Sequence, residues 1–191
     1  MKMSIKFKCV NLERRPDRKA WINGVKQDIP LEFVSAVDGK DLILTKEIYN
    51  LFQKNDFNWR RSVIGCSLSH IKLWKELVAS DDEYYVVIED DTDFISDFMK
   101  RFNYCLEQIK KDKIPFVFLG YFEYIRFALE NFDTSCYPKL EIINKQTGGG
   151  TGGYMISKEG AKSILKWLYE NGAIVKGTVV VGDNMIYPGC P

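Results

Sequence analysis

Tyr84-Tyr85-Val86-Val87-Ile88-Glu89-Asp90-Asp91-Thr92-Asp93-Phe94 joins the strongest strand signal in the chain to an acidic turn. The first five residues are a continuous β-branched and aromatic run. Strands covered on both faces read this way, which predicts a buried, central parallel strand. The run stops at four acids within five positions, Glu89, Asp90, Asp91 and Asp93. Open α/β sheets bind their ligands outside the carboxyl ends of such strands.

The flanking sequence supplies the rest of an α/β pattern. Residues 4–10 read as a strand, and Pro16 and Asp17 suit the first turn of a helix that runs to about Lys26 and stops before Pro30. Residues 31–36 are a second strand, closed by Val37-Asp38-Gly39. Strand, helix and strand in this order favour a parallel pair. Thr45 is a cap for a short helix to about Phe52, and residues 55–61 form a polar, aromatic loop. Ile64, Leu68, Ile71, Lys75 and Val78 mark one helix face, with Ser62 as its candidate cap and Asp81-Asp82 at its end.

Downstream, a helix is expected over residues 96–111, with Phe98, Phe102, Cys105 and Ile109 on one side, followed by a buried strand over 116–120. Residues 121–140 are aromatic without a clean period, and Ile142-Ile143 reads as an edge strand. Tyr154-Met155-Ile156 is a short strand, and Ser157 caps a helix to Tyr169 that stops at Asn171-Gly172. Residues 174–181 read as a last strand. The fold class is α/β, a central, mostly parallel sheet flanked by helices, with residues 1–191 as one domain.

Composition narrows the function only by exclusion. At 46 % hydrophobic and 28 % charged residues, wholesale disorder is excluded. Lys plus Arg is 27 against 26 Asp plus Glu, so no basic field points to nucleic acid or an anionic membrane. No apolar run approaches the ~18 residues of a membrane helix, and residues 1–18 lack the apolar core of a signal peptide. The expectation is a cytoplasmic chain with no transmembrane segment, compatible with peripheral membrane association. Five cysteines without a C-x-x-C argue against a disulfide framework or a structural zinc site. The lone histidine, His70, shares a helix face with Cys66. That pair reads as a packed, hydrogen-bonding face before it reads as a metal pair or a Cys-His nucleophile.

The acidic turn carries the chemistry. Crowded carboxylates repel one another unless a cation sits among them. Hard oxygen ligands suit Mg²⁺ or Mn²⁺. Glu89-x-Asp91 and Asp91-x-Asp93 each put two acids on one side of an extended backbone. A metal there would bridge a diphosphate and neutralise charge developing on a leaving group; the competing reading is a solvated acidic turn. Asn11, Arg15 and Arg18 follow the first strand, where arginine can bind phosphate in bidentate fashion, or they are solvated charges at a helix start. Asp183, after the apolar residues 178–181, is a candidate general base or further metal ligand, or else a helix-cap or turn acid. Gly148-x-Gly150-x-x-Gly153 spells a dinucleotide fingerprint, but a strand follows it and the helix begins only at Ser157. The glycines therefore fit a loop that approaches a ligand closely, or a structural turn.

Val10-Asn11-Leu12-x-x-Arg15-x-x-Arg18, Ala36-Val37-Asp38-Gly39, Gly65-Cys66-x-x-Ser69-His70-x-x-x-Trp74, Val87-Ile88-Glu89-Asp90-Asp91-x-x-Phe94 and Gly152-Gly153-Tyr154-x-Ile156-Ser157-x-x-Gly160-Ala161 occur in this order. Together they resemble glycosyltransferase family 25, which includes lipooligosaccharide β-galactosyltransferases and collagen hydroxylysine galactosyltransferase domains. The resemblance implies a GT-A-like nucleotide-sugar-binding domain. It also implies inverting transfer of a hexose, galactose or glucose, from a UDP-sugar to a hydroxyl of a glycan or collagen-like acceptor. It further implies Mn²⁺ or Mg²⁺ on Asp91 against the diphosphate, with Glu89 or Asp90 supporting the ribose or the metal. Arg15, Arg18 and Asp38 would lie near the nucleotide, with Asp38 able to accept from a uracil N–H. Ser69 and His70 would be site groups or their supports. Asp93 is an acid beyond the family pattern, so Asp91 and Asp93 could form the metal pair. The chain ends at Pro191, soon after Asp183, whereas comparable members continue; it reads as a compact member or a shortened one. Two alternatives use the same residues: an inactive UDP- or sugar-binding scaffold, and a nucleotidyl-transferring α/β enzyme.

Overall fold

The computed structural model describes residues 4–119 and 152–172, apart from residues 27 and 56. The described elements are β1 (Ile5–Asn11), α1 (Pro16–Val25), β2 (Leu31–Ser35), α2 (Lys46–Phe52), α3 (Arg61–Ala79) and β3 (Tyr84–Glu89). They continue with α4 (Phe98–Lys111), β4 (Phe116–Phe118), β5 (Gly153–Ser157) and α5 (Lys158–Asn171). The five strands form one sheet in the order β2-β1-β3-β5-β4. β1 pairs in parallel with β2 and with β3, whereas β5 runs antiparallel to both β3 and β4. β4 therefore runs with β1 to β3, and the sheet is mixed, with one reversed strand.

β3 sits where its composition places it, in the middle of the sheet with its first five residues buried. Alternation along the strand sends its side chains into two cores. Tyr85 and Val87 pack with Tyr154 and Ile156 of β5 beneath α3 and α5. Tyr84, Val86 and Ile88 pack with Phe7 and Cys9 of β1, Ile22 of α1 and Phe102 and Ile109 of α4. Two local caps work as the sequence indicates. Thr45 accepts from the Ile48 N–H at 3.3 Å, and Ser157 accepts from the Gly160 N–H at 2.9 Å.

Three expectations need correction. Ser62 lies inside α3, whose N-cap is Arg60 with no side-chain hydrogen bond. The early part of the helix packs tightly on the loop after β2, since a Cβ on Gly65 would lie 2.6 Å from the Val37 carbonyl oxygen. The buried residues of α3 include Ser67, His70 and Trp74, while Lys75 is exposed. Ile64, Leu68, Ile71 and Val78 meet the core as expected, and packing against α5 as well as the sheet widens the covered stripe beyond them. β4 is half-buried and shorter than the expected strand, and among the described residues it lies at the sheet edge, paired only with β5. The strands expected within 121–143 and 174–181, and Asp183, lie outside the described residues. Among the described residues, no helix is long and apolar enough to cross a membrane.

Candidate functional site

A cleft of about 530 Å³ opens at the carboxyl ends of the parallel strands. Arg14 and Arg18 line it after β1, Asp38, Gly39 and Lys40 after β2, and Glu89 and Asp90 at the end of β3. Arg61, Ser62, Cys66, Ser69 and His70 face it from α3.

The register of the sheet builds its floor. Val10 pairs with Glu89, so the next residues, Asn11 and Asp90, meet across the strand ends. The Asn11 side-chain amide donates to Asp90 Oδ2 at 2.7 Å, and both groups are buried. Arg18, in the first turn of α1, donates to Asp90 Oδ1 at 3.0 Å and to Asp91 Oδ2 at 2.9 Å. Asp90 is thus a buried brace and Asp91, with a side chain 53 % exposed, the outward acid of the pair. Partial desolvation and the nearby Glu89 carboxylate push the Asp91 carboxyl above the usual range, against the opposing pull of Arg18.

We expect Asp90→Ala to destabilise the fold by about 2–3 kcal/mol, because it strips partners from a buried amide and a half-buried guanidinium. Urea unfolding checks this; an unchanged midpoint would refute the bracing role.

The second wall is the loop after β2. Asp38 accepts from the Lys40 N–H at 2.9 Å and from Arg14 Nε, and these two donors hold its carboxyl below the usual range. Ser69 accepts from the Val37 N–H and donates to the Gly65 carbonyl, both at 2.8 Å, clipping the loop to α3. His70 is buried, with Nδ1 2.8 Å from the Tyr154 hydroxyl and Nε2 3.3 Å from Glu89 Oε1. One ligand atom each from Cys66, His70 and Glu89 lie within 4.8 Å of one another, a mixed sulfur, nitrogen and oxygen group.

The cleft therefore joins Arg18, Asp38, Ser69, His70, Glu89 and Asp90, with Asn11 bound to its floor. Arg15 instead forks onto Asp17, through Nε at 2.9 Å and an NH₂ nitrogen at 2.7 Å, and that hydrogen bond lowers the Asp17 carboxyl to about 2. Asp93 is exposed, and its Oδ1 accepts from the N–H of Phe94 at 2.8 Å. Arg14, Lys40 and Arg61 are cleft residues that motif reading passes over. The turn closed by the Arg15 N–H on the Leu12 carbonyl decides which of two adjacent arginines faces the loop. The end of the glycine run also reaches the site. Gly153 pairs with Ile88, and the Glu89 N–H donates to the Gly152 carbonyl at 3.0 Å.

Chemically, arginines beside carboxylates at strand ends suit a ligand that is anionic at one end and hydroxylated at the other. The sequence model of Glycosyltransferase family 25 (LPS biosynthesis protein) matches residues 5–176. The chain is similar to procollagen galactosyltransferase 2 of Mus musculus, 29 % identical over 166 residues, covering 82 % of this chain and 26 % of the relative. It is similar to a glycosyltransferase 25 family member of Aedes aegypti, 30 % identical over 173 residues, covering 82 % and 27 %. It is also similar to a probable inactive glycosyltransferase 25 family member 3 of Bos taurus, 30 % identical over 128 residues, covering 58 % and 21 %. The matches span about a quarter of the length of these relatives.

Proposed function

The chain belongs to glycosyltransferase family 25, and from that premise we propose that its cleft transfers a hexose from a UDP-sugar to a hydroxyl. The mouse relative is named a procollagen galactosyltransferase, which favours galactose as the sugar and a hydroxylysine-type or glycan hydroxyl as the acceptor. The carrying observation is the convergence of Asp38, Glu89, Asp90, Arg14 and Arg18 on one cleft at the ends of parallel strands. Cationic and carboxylate groups so placed suit the diphosphate and the hydroxyls of a nucleotide sugar.

In this reading Asp38 accepts from the uracil N–H, and Glu89 accepts from the ribose. Arg18 and Arg14, which line the cleft, face the diphosphate. The acceptor hydroxyl oxygen attacks the anomeric carbon as the bond to the β-phosphate oxygen breaks. The electron pair leaves with UDP, the configuration inverts, and a carboxylate takes the hydroxyl proton; Asp183 is the proposed base.

The Asp91 carboxyl suits a hard divalent cation, because it is exposed among like charges offset by Arg18, although the ligand atoms that converge among the described residues are those of Cys66, His70 and Glu89. Asp91 would hold Mn²⁺, with Asp93 and Glu89 the neighbouring oxygen donors. The ion would neutralise the charge that develops on the departing diphosphate.

Calorimetric titration of UDP with Mn²⁺ and then with EDTA tests the reading, alongside hydrolysis of UDP-galactose. We expect affinity at least about tenfold higher with the metal. Equal affinities would remove the metal role. The name of the bovine relative favours one second reading, a domain that binds UDP without turnover. Tight binding with neither hydrolysis nor transfer would select it, and turnover of nucleoside triphosphates would select a nucleotidyl transferase.

A further inference from the structure

Behind the cleft, three buried side chains form a polar line through an otherwise apolar core. Trp74, Tyr154 and His70 are each 1 % exposed. The Trp74 indole N–H donates to the Tyr154 hydroxyl oxygen at 2.9 Å, and that hydroxyl lies 2.8 Å from His70 Nδ1. His70 Nε2 lies 3.3 Å from Glu89 Oε1, in the cleft wall. The topology makes the meeting unavoidable. His70 and Trp74 stand one turn apart on α3. Tyr154 of β5 is opposite Val87 of β3, two residues before Glu89 on the same strand face. Phe116 stacks on the Tyr154 ring at 5.0 Å and fixes its plane.

Counting donors gives this line a direction. An indole nitrogen can only donate, and a tyrosine hydroxyl has one proton to give. Burial holds the Tyr154 hydroxyl well above the ordinary tyrosine range, so that proton is present. Among the described residues, the hydrogen-bond partners of this hydroxyl are Trp74 and His70. Of the two, only His70 Nδ1 can accept. With Nδ1 accepting, the ring proton sits on Nε2 and points at Glu89.

We propose that Trp74, Tyr154 and His70 form a one-way hydrogen-bond chain that locks Glu89 in the cleft, which makes Tyr154 and His70 positioning residues for the donor site. The inference about the site rests on the UDP-sugar reading above. A carboxylate held by a fixed donor loses rotamer freedom, so the direction it offers a ligand is set before binding.

The sequence contains one histidine, so ¹⁵N-histidine labelling of the whole chain gives a single imidazole spectrum. At neutral pH we expect protonated Nε2 and unprotonated Nδ1. Tyr154→Phe should shift the Nδ1 resonance as its hydrogen-bond donor is lost, while Glu89 still holds the proton on Nε2, and should weaken UDP binding by about 10–100-fold, with the circular dichroism of the folded chain retained. Trp74→Phe leaves the Tyr154 proton nowhere else to go, and should keep the wild-type tautomer. Protonated Nδ1 in the wild type would overturn the chain, as would an unchanged Nδ1 resonance or an unchanged UDP affinity in folded Tyr154→Phe. So would an unprotonated Nε2 that shifts on adding Zn²⁺, which would turn Cys66, His70 and Glu89 into a metal site. The tautomer is read without turnover. An inactive wild type with protonated Nε2 would therefore sink the transferase reading while the chain stands.

Discussion

Asp91→Ala is expected to cut sugar transfer and donor hydrolysis by at least about 10³-fold while the protein stays folded. Asp91 is an acid that the fold can spare. Its side chain is 53 % exposed, and its ion pair is with Arg18, which keeps Asp90 as a second partner. Removing it also relieves repulsion with Glu89 and Asp90, the like charges that help to raise its carboxyl. Stability should therefore change by no more than about 0.5 kcal/mol, the usual scale for a surface substitution. The departing diphosphate loses the carboxylate that would hold its counter-ion, so the loss falls on turnover. Single-turnover assays with UDP-galactose, beside urea unfolding of the same sample, separate the two effects. Full activity in Asp91→Ala would refute the assignment, and a collapsed midpoint would show that Asp91 braces the fold.

That separation of roles could not be read from the acidic run itself. Glu89, Asp90, Asp91 and Asp93 look alike in sequence, yet Asp90 is a buried brace, Glu89 faces the cleft and Asp93 engages its own turn. The strand before them was legible because burial on both faces leaves an uninterrupted apolar record. The direction of β5 was not, since direction is set by its partners β3 and β4 and leaves no trace in Tyr154-Met155-Ile156. The α3 stripe holds at Ile64, Leu68, Ile71 and Val78 but fails at Lys75 and omits Ser67, His70 and Trp74, because a single-face period describes a helix with one neighbour, and α3 has the sheet and α5. The Tyr154 contact with His70 spans 84 residues, and no local pattern encodes it. Arg14 and Arg15 differ only in which way a turn aims them.

Gly39→Ala should be the most damaging single-methyl change, lowering stability by about 3 kcal/mol and weakening UDP binding with it. A Cβ at Gly39 would lie 2.1 Å from the Arg61 carbonyl oxygen and 2.8 Å from the Ser62 nitrogen. Both are backbone atoms of the first turn of α3, so no rotamer change can make room. The contact is mutual, because a Cβ at Gly65 would lie 2.8 Å from the Gly39 nitrogen. Space, rather than a left-handed backbone, is what demands glycine here. To admit the methyl group, the loop carrying Asp38 and Lys40 must part from the helix carrying Arg61, Ser62 and His70, which opens the cleft. It must also stretch the clip from the Val37 N–H to Ser69. Gly24→Ala in α1 is the matched control: nothing lies within 4 Å of its added Cβ, and a helical alanine should stabilise by up to about 1 kcal/mol. Urea midpoints and UDP titrations on both variants give the comparison. A Gly39→Ala protein with the wild-type midpoint and affinity would show that loop and helix do not meet as closely as the structure places them.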